Sequence, residues 1–182
     1  DFIAPVESCK KDWIWGFAVT AGFNVEKIGQ NFADKNDDYK SIMIKVLGDR
    51  IAEALAEKMH EKVRTDLWGY SKNESLKNED LIKEKYIGIR PAPGYPSCPD
   101  HSEKIALFNL LDIKNNSKLQ LTESFAVYPA SSVSGWYFSH PESKYFGLSR
   151  IDEKQLIDYA KRKKMEKEQL IKIFPQIIDL WK

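Results

Sequence analysis

The chain predicts an α+β fold: an antiparallel β-sheet with a long helix packed against it and short helices at the C-terminal end, in a single domain. Three features carry that prediction. Runs of aromatic and β-branched residues are punctuated by Gly, Pro and Ser, one long stretch places apolar residues at steps of four, and 182 residues suit one core better than two cramped ones. A hydrophobic content of 42% with 12% aromatic residues is that of a chain that buries a core, since disordered chains are poorer in both.

The first aromatic run, Trp13 to Thr20, suits a pleated, half-buried surface and predicts a strand. Gly22 and Asn24 supply turn chemistry, and Val25 to Ala33 predicts a short helix before the polar break at Lys35 to Asp38. From Tyr39 onward, Met43, Leu47, Ile51, Leu55, Met59, Val63 and Leu67 follow at steps of four. That spacing lines one helix face, so a helix from Tyr39 to Leu67 is expected to bury it, with Asp37 and Asp38 capping its start and Gly69 stopping it.

A polar loop with Ser71, Asn73 and Asn78 separates this helix from a short one over Glu79 to Lys85. Pro91, Pro93, Gly94, Pro96 and Pro99 then exclude helix interior and central strand, because each proline ring fixes φ and removes a backbone donor. A stiffened loop is expected there. Ser102 to Leu111 returns to helical character with Asp100 or Ser102 as cap. Leu119 to Tyr128, Val133 to Phe138 and Tyr145 to Ile151 predict strands, and Asp152 to Ile173 predicts two short amphipathic helices interrupted before Pro175.

Charge narrows the functional classes. Lys plus Arg number 28 against 27 Asp plus Glu, so no net field favours nucleic acid. No apolar run approaches the roughly 20 residues of a membrane span, and no basic segment followed by an apolar one opens the chain. Cys9 and Cys98 lack metal-type spacing and are too few for a secreted disulfide scaffold, which points to a reducing cytoplasm. Asp1, in place of Met and followed by strand-like residues, points to a fragment or a processed product.

Candidate chemistry concentrates in the proline loop. Arg90 stands at its mouth, where a guanidinium fork can grip a carboxylate; Gly94 permits close backbone approach, and Tyr95 offers an aromatic face. A surface arginine beside a rigid turn is the plain alternative. Asp49 and Glu53, at i and i+4, share one strip of the long helix away from its apolar stripe. Trp136, Tyr137 and Phe138 read mainly as sheet core. His60, His101 and His140 with Cys98 show no His-x-x-x-His or Cys-x-x-Cys pair for zinc; Ser131, Ser132 and Ser134 lack a nucleophile elbow, and glycine-rich phosphate loops are absent.

Two segments carry a family resemblance. Arg90-Pro-Ala-Pro-Gly-Tyr-Pro96 with Cys98-Pro99, and Thr122-Glu-Ser-Phe-Ala126 with Ser134-Gly-Trp-Tyr-Phe-Ser-His-Pro141, resemble the S-adenosylmethionine-binding activation domain of cobalamin-dependent methionine synthases. The resemblance runs from Asp1 through the C-terminal helices, so residues 1–182 are expected to be that domain without its N-terminal part, where the family has an acidic residue for the ligand's amino group. It implies that Arg90 binds the ligand carboxylate, that Ala92 and Gly94 contact the ligand through their backbone, and that Glu84 lies nearby. It also implies that Tyr95 packs over the corrin, and that Tyr145 and Phe146 contact the ligand. The family often has two tyrosines at that pair, so Phe146 lacks a hydroxyl. Asp49, with Glu53 on the same helix strip, is implied to approach the cobalamin module.

The implied activity is reductive methylation: S-adenosylmethionine restores methylcobalamin from inactive cob(II)alamin. Cobalamin is held by a neighbouring module, the electron comes from flavodoxin or a flavin reductase, and the whole enzyme is a methyltransferase of methionine biosynthesis. A positioning role needs no acid or base, consistent with the absence of a nucleophile motif. A different class remains open, a stand-alone, non-catalytic module that senses S-adenosylmethionine or docks onto a corrinoid protein.

Overall fold

Aromatic and β-branched residues at alternate positions do make strands here, and the two longest form the platform for everything else. In the computed structural model, which describes residues 2–148 and 150–173, the chain runs through β1 (Trp15–Thr20), α1 (Val25–Ala33), α2 (Asp38–Lys62), α3 (Asn78–Ile82), α4 (Glu103–Leu110), α5 (Ile113–Asn116), β2 (Gln120–Leu121), β3 (Val127–Tyr128), β4 (Ser132–Tyr137), α6 (Glu153–Lys163) and α7 (Lys167–Ile173). β1 and β4 pair antiparallel, with Trp15 opposite Tyr137 and Thr20 opposite Ser132. β2 and β3 form a separate two-stranded hairpin.

The pleat sends alternate residues of β1 to opposite faces. Phe17 points toward α2 and, with Ala56, Val63 and Tyr137, forms the buried core against which Trp15, Val19 and Val133 pack. Its ring stacks on Tyr137 with centroids 4.6 Å apart. Gly16 faces the other way, where a Cβ would lie 2.6 Å from Leu107 Cδ1, so α4 covers the second face closely. α2 starts where Asp37 accepts a hydrogen bond from the Lys40 backbone N–H (3.0 Å). It continues into a π-helical turn, Val63–Leu67, and stops at Gly69 with φ +71°.

The long helix buries a different face from the one its large residues suggest. Met43, Leu47, Ile51, Leu55 and Leu67 are exposed, Ile51 by 59%, whereas Gly48, Ala52, Ala56 and His60 are buried. Small residues permit a closer approach than a leucine row: a Cβ on Gly48 would meet Ser131 Oγ at 2.8 Å. Only Val63, from the expected stripe, joins the buried core.

The last expected strand, Tyr145 to Ile151, does not form over its described residues. Residues 145–148 and 150 form none, and Ile151 makes an isolated bridge. Their polar groups serve the proline loop instead, with the Tyr145 hydroxyl accepting the Arg90 backbone N–H (2.9 Å) and the Leu148 N–H reaching Pro96 O (3.1 Å). The expected strand from Leu119 to Tyr128 is likewise only the short β2–β3 hairpin. The two C-terminal helices form and share a small cluster of Leu156, Ala160 and Leu170, while the break expected before Pro175 lies outside the described residues. α6 is tied to the start of α4 by Tyr159, which donates to Asp100 (2.6 Å), and by Lys163, which donates to Glu103 (2.7 Å). No helix among the described residues is long and apolar enough to cross a membrane.

Candidate functional site

The proline loop is seated on the outer edge of β4. Ile89 and Phe138 exchange both backbone hydrogen bonds (2.9 and 3.0 Å), and Pro91, which has no N–H to offer, accepts from the Trp136 N–H (3.0 Å). Gly135 makes this possible, since a Cβ there would lie 2.7 Å from Pro91 O and 2.9 Å from the Phe17 ring. Beyond Pro91 the chain closes a tight turn in which Gly94 N–H donates to Cys98 O (2.7 Å) and Cys98 N–H to Tyr95 O (2.9 Å). Gly94 has φ +101°, and a Cβ would strike the His101 ring at 2.2 Å, so two separate constraints demand glycine.

This construction opens a cleft of about 480 Å³ lined by Glu53, Glu84, Tyr86, Arg90, Ala92, Tyr95, Tyr145 and Phe146, among others. That volume lies inside the roughly 300–1,000 Å³ typical of small-molecule sites. Residues named from sequence as far apart as Glu53 and Phe146 therefore meet around one space. Gly94 and Asp49 do not line it. Gly94 lies against His101 beside a smaller cleft, and Asp49 accepts a hydrogen bond from Ser131 Oγ (2.6 Å), tying α2 to the loop before β4. Glu84, past the end of α3, is held in the left-handed region at φ +52°. Tyr137 and Phe138 are buried, and Phe138 and Trp136 both line a larger cavity.

Arg90 is not an isolated cation. Its Nη1 and Nη2 atoms donate to the Glu57 carboxylate at 3.2 and 2.5 Å, and Nη1 also contacts His60 Nδ1 (3.1 Å) and Tyr86 Oη (3.2 Å). Burial acts to lower the Arg90 pKa, but Tyr86, Glu57 and Tyr145 hold it above its ordinary value, so the guanidinium is a permanent charge. The same burial raises the Tyr86 pKa and keeps its phenol protonated.

His60 is fully buried between two cations. Burial first, then the charges of Arg64 and Arg90, push its pKa down to about 2. Arginine has no acceptor, so the Nδ1 facing Arg90 carries the lone pair and the proton sits on Nε2, which donates to the Tyr70 hydroxyl (3.3 Å). Behind it, Arg64 forms a buried bidentate pair with Glu74 at 2.7 and 2.6 Å and stacks over Tyr86, 4.5 Å from the ring centroid. Two cations, two carboxylates and a neutral imidazole thus brace the wall that presents Arg90.

Sequence reading missed Glu57, His60, Arg64, Glu74 and Tyr86. One signal was available: Asp49, Glu53 and Glu57 continue at i+4 along α2, and His60 and Arg64 extend the row inward.

The larger cavity, about 880 Å³, lies across the loop and is lined by Trp136, Phe138, Phe146 and Ile151 with Asp100, Asp158 and Arg162. Its charged groups are already engaged, Arg162 with Asp158 (2.9 Å) and Asp100 with Tyr159 and Lys163. It is suited to apolar surface more than to a zwitterion. Cys98 is no candidate nucleophile, because burial first, then Glu103 and Asp100, raise its thiol to about 11. Among the described residues no three His, Cys, Asp or Glu side chains group as metal ligands.

A crystal structure of the MetH reactivation domain bound to AdoHcy superposes with a TM-score of 0.95 at 48% identity, over 99% of this chain. This chain spans 55% of that one's length. The family model for the activation domain of vitamin B12 dependent methionine synthase matches residues 1–164. The chain belongs to the vitamin B12 dependent methionine synthase activation-domain family.

Proposed function

We propose that the cleft at Arg90 binds S-adenosylmethionine, and that the chain serves as the reactivation domain of a cobalamin-dependent methionine synthase. The observation that carries this reading is the convergence on one cleft of a permanent guanidinium, two carboxylates and several aromatic faces. S-adenosylmethionine presents a carboxylate, an ammonium, a sulfonium cation and an adenine ring. Arg90 takes the carboxylate, Glu53 and Glu84 face the positive groups, and Tyr95, Tyr145 and Phe146 supply aromatic surface for the sulfonium and adenosine. Ala92 and Gly94 shape the loop backbone beside the ligand. The solved relative holds AdoHcy, the molecule left when S-adenosylmethionine gives up its methyl group.

In the full enzyme, a neighbouring module would hold cobalamin, which would supply the bond chemistry of methyl transfer, with flavodoxin or a flavin reductase as the electron donor. This chain contributes position. Holding the sulfonium at the cleft mouth turns a rare encounter into an aligned approach. Asp49 and Glu53, exposed one turn apart on α2, and Tyr95, 56% exposed at the rim, form the surface that meets the cobalamin module.

Calorimetric titration of the chain with S-adenosylmethionine tests the reading. Saturable one-site binding is expected, weakened by about a hundredfold or more in Arg90→Ala, because a charge-assisted bidentate contact is lost. No binding by folded wild-type protein contradicts the assignment.

A further inference from the structure

The Arg90 guanidinium, which lines the cleft, is held through Nη1 and Nη2 alone among the described residues. Glu57 occupies the end-on fork formed by Nη1 and Nη2, and it does not line the cleft. His60 Nδ1 and Tyr86 Oη take up the remaining capacity of Nη1. Among the described residues nothing accepts from Nε, and Nη2 spends only one of its two protons, on Glu57. What is left is the side-on fork, Nε–H with the second Nη2–H, a pair of parallel donors that matches the two oxygens of a carboxylate.

We propose that Glu57 is a positioning residue: it fixes the Arg90 guanidinium so that the side-on fork is presented to the cleft, and it thereby selects ligands that carry a carboxylate. The proposal rests on the reading of the cleft as an S-adenosylmethionine site. Arginine has four rotatable side-chain bonds, and a guanidinium held on only one edge loses orientation when unbound. A bidentate partner behind it removes that freedom before the ligand arrives, which leaves less ordering to be done on binding. His60 contributes by remaining neutral, since it accepts from Nη1 without adding a third cation to the wall. Glu57 also opposes the ligand's own negative charge, so its removal tests two effects of opposite sign. Losing a competitor for Arg90 tightens carboxylate binding, whereas losing the brace weakens it.

The experiment measures affinity by calorimetry for two probes, S-adenosylmethionine and its decarboxylated analogue, in wild type, Glu57→Gln and Glu57→Ala. Gln keeps an acceptor of the same length without the charge; Ala keeps neither. Positioning requires that Glu57→Ala weaken S-adenosylmethionine by about tenfold, that it leave the decarboxylated analogue within about twofold, and that Glu57→Gln recover most of the loss. Tighter S-adenosylmethionine binding in both variants overturns the proposal and makes Glu57 a competitor. Equal weakening of both probes overturns it in favour of a structural role. Nitrogen-15 NMR of the ligand-free chain gives a readout that does not depend on the ligand. Slow rotation about the Arg90 Nε–Cζ bond in wild type, fast in Glu57→Ala, supports the brace; equal rates overturn it. Braced Arg90 in a chain that binds neither probe separates failure of the cleft assignment from failure of the brace, and it overturns the selection claim.

Discussion

Lowering the pH from neutrality should destabilise the fold through His60. The imidazole has a pKa of about 2 in the fold against 6.5 in a model peptide, because it is fully buried beside the Arg64 and Arg90 charges. Between those two values the unfolded chain binds a proton that the native chain refuses. Stability is therefore complete above the unfolded pKa and falls as pH drops below it, by about 1.4 kcal/mol per pH unit once protonation of the unfolded state is complete. From about pH 7.5 to about pH 5 the loss from this residue comes to about 2 kcal/mol. Asp100 has its pKa lowered, by Ser102, Tyr159 and Lys163 against the burial that raises it, so its loss falls at still lower pH and leaves this window clear. The assay is urea unfolding at three pH values for wild type and His60→Asn, which keeps an acceptor for Arg90 and does not titrate. Wild type should lose about 2 kcal/mol more than the variant over that interval. Parallel pH profiles would refute the claim that His60 is held neutral.

Other perturbations test the construction of the wall and loop. Glu74→Gln leaves Arg64, whose side chain is fully buried, without its carboxylate and should cost about 3–5 kcal/mol in urea unfolding, far beyond what a surface pair contributes. Gly135→Ala places a Cβ 2.7 Å from Pro91 O, so it should destabilise by about 1–3 kcal/mol and weaken S-adenosylmethionine binding by lifting the loop from β4; an unchanged affinity would mean that the loop tolerates the displacement.

The proline loop was legible because its residues act through local covalent geometry: Pro91, Pro93, Pro96 and Pro99 dictate backbone wherever they stand. The resemblance attached Arg90, Ala92, Gly94, Tyr95, Tyr145, Phe146 and Glu84 to a ligand, and the fold brings all of them but Gly94 to one cleft. The packing face of α2 was not legible in the same way. Leucine and isoleucine at steps of four outweigh glycine and alanine in any hydrophobicity pattern, yet close approach selected Gly48, Ala52 and Ala56. Periodicity reports which residues are apolar, and it is silent on how near a neighbour comes. Glu57 stayed hidden for a related reason. An acidic row on a helix reads as solvated until the partner from a distant loop is known, and Arg90 lies 33 residues further along the chain. Tyr145 to Ile151 read as a strand because strand propensity cannot see that Tyr145 and Leu148 use their polar groups to hold Arg90 and Pro96.

The most direct test of the central claim is a crystal structure of the chain with S-adenosylmethionine bound. The ligand carboxylate should lie within hydrogen-bond reach of Arg90 Nε and Nη2, with the sulfonium between the carboxylates and the aromatic rim of the 480 Å³ cleft. Ligand density in the 880 Å³ cavity beside Trp136 and Phe138, with Arg90 still contacting only Glu57, His60 and Tyr86, would contradict it.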